Sequence, residues 1–163
     1  MSIDVKIKNF LDLIAFSEGT SNSALTKNNG YDVIVSGING PSIFTDYSDH
    51  PFAKGGAVQV RAGLISTAAG RYQILARYFA VYKIILHLPD FSPDSQDAVA
   101  IKMFKECKAV DMIMSGDITG AIKACSSRWA SLPFNSYQQG GHSLMELLAE
   151  YNAITDRQGL TLA

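Results

Sequence analysis

Charge of one sign, long apolar runs and cysteine are all scarce in this chain, and each shortage removes a class of function. Lys+Arg 14 against Asp+Glu 15 leaves a formal net charge of −1, so no global field draws the protein to nucleic acid. The greasiest segment, YFAVYKIILHL, is interrupted by Lys83 and His87. It falls short of the roughly 18 apolar residues that read as a membrane span. The opening residues MSIDVKIKNF carry no basic stretch leading into an uninterrupted apolar run and cleavage site, so they do not read as a signal peptide. A soluble product made in the cytosol is expected. Cys107 and Cys125 are the only cysteines, and in a cytosolic chain they read as reduced core residues rather than a disulfide. His50, His87 and His142 stand isolated, with no Cys or His at ligand spacing, so neither a metal nor another cofactor is expected. No G-x-S-x-G elbow, no cysteine close to a histidine and no G-x-x-x-x-G-K-[ST] loop occurs, which weakens nucleophilic and phosphate-binding readings.

What remains is a globular composition, 47% hydrophobic and 18% charged over 163 residues, enough for one domain spanning 1–163 with a real core. Ile7, Phe10, Leu11, Ile14 and their neighbours recur near the helical period, predicting a helix over 4–17 that stops at Gly19. YDVIVSG and SIFTDY, separated by INGP, predict a β-hairpin. Residues 48–66 read as irregular around one short strand, AVQVR. GRYQILARYFAVYKIILHL predicts one long helix ending before Pro89. Ser92 as N-cap and Pro93 at the first helical position start another. Shorter helices are predicted near 109–115 and 117–125, then a last one over 142–154 with a loose tail. The pattern is an α+β fold with a mainly helical body and a small β-hairpin region.

Carboxylate chemistry is the strongest chemical signal. Cleaving a glycosidic bond needs an acid whose pKa has been raised toward neutrality. Glu18, beside the negative end of a helix dipole and flanked in sequence by Phe16 and Ile14, fits that physically. A charged residue fraying into water at a helix end is the plain alternative. Asp32 and Asp46 lie in or beside the β-region; each is a candidate second carboxylate or an ordinary turn residue. Tyr72 and Gln73 follow a glycine in AAGRYQIL, where a cleft floor or a core contact would suit them. Trp129, Phe134 and Tyr137 flank a Pro/Gly loop, where rings could stack on sugars or anchor packing.

FLDLIAFSEGT, NNGYDVIVSG, IFTDYSDHP, AAGRYQIL, DFSPDSQDAVA, GDITGAIKACS and WASLP occur in the same order as in the family of the bacteriophage lambda endolysin, which the chain resembles over roughly residues 9–135. The resemblance implies a lysozyme-like α+β fold and a lytic transglycosylase acting on peptidoglycan strands. Glu18 of the S-E-G-T motif would be the acid and base, with Gln73, Tyr72, Tyr137, Asp32 and Asp46 as groove candidates. Many hydrolytic phage lysozymes carry a second acid nine positions after the glutamate and a threonine six further on. Lys27 and Val33 stand there instead, which fits a mechanism with one carboxylate. A hydrolytic muramidase and an inactive peptidoglycan-binding homologue are the alternatives. The family also implies two groove-bordering lips, near 50–62 and 132–143. It further implies a monomer held in the host cytoplasm, with no membrane insertion, until a separate holin admits it to the periplasm and cell wall.

Overall fold

The computed structural model describes residues 2–136 and 141–162. The chain forms two compact units, one built from residues 1–17 and 100–163, the other from residues 18–99. Together the elements make an α+β mix of six helices and two small antiparallel sheets among the described residues. No helix among them is long and apolar enough to cross a membrane.

The first unit is helical. Helix α1, Val5–Ser17, buries Phe10, Leu13 and Ile14 on the stripe its periodicity predicted. The Phe10 ring meets Phe104 edge-on at 5.1 Å, and Phe104 meets Trp129 at 5.7 Å. Phe104 belongs to the C-terminal half of α3, Pro93–Glu106. Trp129 is thus a packing anchor, and its ring is buried. Helices α4, Val110–Ser115, and α5, Ile118–Cys125, follow, with Asp117 capping α5 by accepting from the Gly120 N–H at 2.9 Å. The last helix, α6, runs Leu144–Leu162 and so continues well past the predicted stop at 154. Its start is a capping box. The Glu146 carboxylate accepts from the Ser143 N–H at 2.7 Å, and the Ser143 hydroxyl accepts from the Glu146 N–H at 3.2 Å. Near its end Arg157 pairs with Glu150 at 2.8 Å, and the run of helix-compatible residues there supplies no breaker other than Gly159.

The second unit carries both sheets. Strands β1, Val33–Gly37, and β2, Gly40–Ile43, pair antiparallel with Val33 opposite Ile43, the predicted hairpin. A second hairpin pairs β3, Val58–Arg61, the short strand predicted within the otherwise irregular segment, with β4, Leu64–Ser66, which was not predicted. β4 is three residues long and mostly exposed, too short to carry an alternation. The Ile38 N–H, in the first hairpin's turn, donates to the Gln59 carbonyl at 2.9 Å and joins the two hairpins.

The long helix predicted from Gly70 is instead a tight turn followed by α2, Ala76–Ile85. Ala69 and Ile74 exchange backbone hydrogen bonds at 3.2 and 2.9 Å, and the Gly70 N–H donates to Val33 at 2.8 Å. Gly70 sits at φ 81° and Gln73 at φ 49°, conformations a helix cannot contain. The helix ends with His87 at φ 52° and the Leu88 N–H returning to the Lys83 carbonyl at 2.9 Å, a left-handed cap usually built on glycine.

The core of this unit is aromatic. Phe79 and Phe91 meet at 4.7 Å, and the His50 ring lies 4.8 Å from Phe91. His50 Nδ1 accepts from the Phe52 N–H at 3.1 Å, so the proton is on Nε2, which donates to the Ile74 carbonyl at 2.8 Å. Burial lowers the pKa of this imidazole below its ordinary value.

Two outcomes follow from these contacts. A Cβ on Gly70 would collide with the Gln96 side chain as well as strain the backbone, so Gly70→Ala should cost about 2–4 kcal/mol. Urea unfolding with an unchanged slope measures it, and a loss below about 0.5 kcal/mol contradicts this account of the turn. Because folding weakens proton binding at His50, the unfolded chain binds more protons in acid. Stability should therefore fall as pH drops below about 6.5. His50→Gln should flatten that fall when urea midpoints at neutral and mildly acid pH are compared, and an identical pH slope in the variant would refute the assignment.

Candidate active site

Glu18 is where it is because α1 cannot continue. Gly19 follows at φ 72°, turning the chain out of the helix. The preceding residue, Ser17, is buried, and its hydroxyl donates to the Ser131 hydroxyl at 2.8 Å. Glu18 itself is half-buried. Thr20 is fully buried, and its hydroxyl donates to the Arg71 carbonyl at 2.5 Å. The polar stretch after Thr20 then folds back, so that the Cα of Gly30 rests against the Thr20 backbone with no room for a side chain.

Arg71 is the hub of this arrangement. Its guanidinium donates to the Asn29 carbonyl and lies 5.2 Å from the Tyr31 ring centroid, a stacked cation on an aromatic face. Its N–H donates to Gln96 Oε1 at 2.9 Å. Gln96 Nε2 in turn donates to the carbonyls of Tyr31 at 3.0 Å and Phe91 at 2.9 Å. At the next position of the helix, Asp97 Oδ1 accepts from the Tyr72 hydroxyl at 2.6 Å and the Tyr31 hydroxyl at 2.8 Å. Burial pushes the Asp97 carboxyl above its ordinary range, against the two phenol hydrogen bonds and the Arg71 charge. Burial also pushes Tyr31 up to about 12 and Tyr72 higher still. Both phenols therefore stay protonated and remain donors. The result is a rigid polar network behind the loop that holds Glu18.

The other sequence-predicted residues fall into different roles. Tyr72, expected on the groove, is 1% exposed. Its ring is in the core and its hydroxyl serves Asp97, so it has no surface to offer a ligand. Asp32 is 3% exposed and committed: Oδ1 accepts from the Thr26 hydroxyl at 2.5 Å and Oδ2 from the Lys27 N–H at 2.9 Å. It ties the polar loop rather than facing a substrate. Asp46 is exposed and closes an Asx turn onto the Ser48 N–H at 2.9 Å, whose hydrogen bonds hold its carboxyl below the usual range. It borders a cavity of about 440 Å³ with Phe44, Asp49, His50 and Lys54. Gln73 is half-buried, and its amide donates to Gly70 at 3.0 Å and Val33 at 3.4 Å. Tyr137 lies outside the described residues, as does part of the second lip expected over 132–143. The first lip, expected over 50–62, is a loop leading into β3. Phe134 is exposed, at φ 73°. Among the described residues no three His, Cys, Asp or Glu side chains group as metal ligands.

Thr20, Gln96 and Asp97 are the site residues that sequence reasoning missed. Thr20 stood inside the quoted motif without a role. Asp97 and Gln96 lay in the first turns of an ordinary amphipathic helix, and no spacing rule links them to residues some 25 positions upstream. Chemically, the arrangement offers one half-buried carboxylic acid on an immobilised turn, with the two sequence-nearest candidate acids engaged elsewhere. Deleting the acceptor in Asp97→Ala strands two phenol hydroxyls and should cost about 2–4 kcal/mol, whereas Asp97→Asn keeps an acceptor and should cost under half as much. Urea unfolding of both variants measures this, and equal losses would contradict the network.

A family model described as Endolysin matches residues 8–157. The endolysin of Escherichia phage P2 is 55% identical over 142 residues, covering 85% of this chain and 86% of the relative. The endolysin of Escherichia phage lambda is 49% identical over 152 residues, covering 93% and 92%. In structure, bacteriophage lambda lysozyme complexed with a chitohexasaccharide superposes with a TM-score of 0.87 at 47% identity, over 95% of this chain and 97% of that one. The fold is that of lambda lysozyme.

Proposed function

The chain belongs to the endolysin family, and from that premise we propose that it is a phage endolysin that degrades peptidoglycan by lytic transglycosylation. The bond cut is the β-1,4 link between N-acetylmuramic acid and N-acetylglucosamine, and residues 1–163 act as a single catalytic domain. Glu18 protonates the glycosidic oxygen as the bond breaks and positive charge develops at C1 of the muramic sugar. The N-acetyl group of that sugar assists. The carboxylate then takes the proton from the muramic C6 hydroxyl, whose oxygen bonds to C1 and closes a 1,6-anhydro ring. The acid is regenerated and no water is consumed.

The observation that carries this reading is the commitment of Asp32. A hydrolase needs a group to activate water, and the acid nearest Glu18 in the polar loop is buried with both oxygens engaged. An intramolecular hydroxyl removes that need. The immobilised S-E-G-T turn supports Glu18 as the acid, since general acids work when held in fixed geometry. A structural relative that holds a chitohexasaccharide supports a glycan strand as the ligand. Gln73 and Asp46 remain groove candidates, and Tyr137 is a third. The enzyme works as a monomer, waits in the host cytoplasm, and reaches the cell wall through a pore made by a separate holin.

Glu18→Gln should lower clearance of outer-membrane-stripped cells by about 10²-fold or more with little change in unfolding midpoint; full activity in the variant would remove Glu18 from the mechanism. Mass spectrometry of digested sacculi should find 1,6-anhydro-muramic ends. Reducing muramic ends without anhydro products would make the enzyme a muramidase, and no cleavage at all would make it a binding protein.

A further inference from the structure

Helix α2 is apolar on both of its faces. Phe79 and Tyr82 are buried in their unit, as the inner face of a surface helix requires. The outer face should then be polar, and it is not. Ile84 is 75% exposed, Val81 and Ile85 are each 52% exposed, and Tyr78 is 41% exposed. Ala80 lies in solvent as well. Scattered apolar residues on a surface need no explanation, but residues 78, 81, 84 and 85 share one arc of a helix. A helix that is apolar all round is normally covered by something.

The charge on this face has one sign. The helix ARYFAVYKII contains no Asp or Glu. Arg77 is exposed and shares the arc with Ile84 and Val81 by helical spacing. Its guanidinium lies 4.9 Å from the Tyr78 ring centroid. Among the described residues no carboxylate forms an ion pair with it. Lys83, the other basic residue of the helix, is already paired with Asp49 at 2.8 Å. The free cation of the face is therefore Arg77, set within apolar surroundings.

We propose that the outer face of α2 is a peripheral docking surface for an anionic phospholipid bilayer, with the helix lying in the plane of the headgroups. Such a surface supplies both things the face lacks, hydrocarbon for Val81, Ile84 and Ile85 and negative charge for Arg77. Tyr78 suits the boundary between them, because its ring is apolar and its hydroxyl tip is polar. A second copy docked through the same face offers no acid to Arg77, since neither copy carries one on α2. The contact is shallow, and no helix among the described residues is long and apolar enough to span the bilayer. Binding is accordingly weak and reversible, as a few apolar side chains and one cation dictate. The proposal goes beyond the glycan reading and does not depend on it.

The test incubates the full-length protein with phosphatidylglycerol vesicles or phosphatidylcholine vesicles at low salt and measures the fraction that sediments with them. The wild type should sediment with the anionic vesicles and stay in solution with the neutral ones. Arg77→Gln should weaken binding about fivefold. Ile84→Ser combined with Ile85→Ser should weaken it about tenfold or more. Met145→Ser removes a side chain that is 81% exposed on α6, and it should bind like the wild type. All of these side chains are exposed, so thermal midpoints should stay near that of the wild type. A wild type that ignores phosphatidylglycerol vesicles, or binding that survives loss of both isoleucines, overturns the proposal. So does a wild-type dimer in sedimentation velocity that the double variant dissolves, which would give the face to a second copy. The vesicles carry no glycan, so this readout is separate from sacculus digestion.

Discussion

Arg71 is the residue on which the geometry around Glu18 depends. Its carbonyl accepts from the Thr20 hydroxyl, its guanidinium donates to the Asn29 carbonyl and stacks on Tyr31, and its backbone N–H donates to Gln96. One side chain and its own peptide groups thereby join the S-E-G-T turn, the far end of the polar loop and the start of α3. A guanidinium suits this because its donors form a fixed planar fork and its face stacks on aromatic rings. An ammonium would supply charge without that geometry. The constraint also explains why Gly70 precedes it: the backbone must pass directly against Gln96, where no Cβ fits.

The cost of burying so many polar groups is met by pairing nearly every one with a specific partner. Asp97 accepts two phenol donors, Gln96 spends both amide hydrogens on carbonyls, and Asp32 is bonded at both oxygens. Networks of this kind are rigid when complete, because loss of one member leaves others unpaired in a medium of low dielectric. The acid proposed at Glu18 gains from such a setting by being held on a turn with few ways to relax. The helical unit uses different means, an aromatic stack of Phe10, Phe104 and Trp129 and well-capped helices, since it has less buried polar chemistry to organise.

Much of the fold was legible in the sequence. The α1 stripe, the first hairpin, the Ser92-Pro93 start of α3 and the Asp117 cap each carry a local physical signal, and each element formed where that signal lay. The departures have physical causes. The stretch from Gly70 to Leu75 has the apolar content of a helix, but a bridge between Ala69 and Ile74 and two left-handed residues override it. The second strand of the second hairpin, β4, is too short to display alternation. The capping box of α6 was present as Ser143 and Glu146, and the helix runs on to Leu162 through residues that include no breaker other than Gly159.

For the site, the order of motifs identified the family, and Glu18 stood out as an acid beside a helix-stopping glycine. Those properties belong to local spacing, which a linear string records. Which polar residues face inward belongs to contacts between distant segments, and no spacing rule gives them. Tyr72 and Asp32 carried the same promise as Gln73 until burial assigned them to the interior. The chain by itself determined most of its elements, its family and its candidate acid, because these follow from local propensity and motif order. Only the tertiary structure decided which side chains share a hydrogen bond, because desolvation and pairing depend on neighbours far away in sequence.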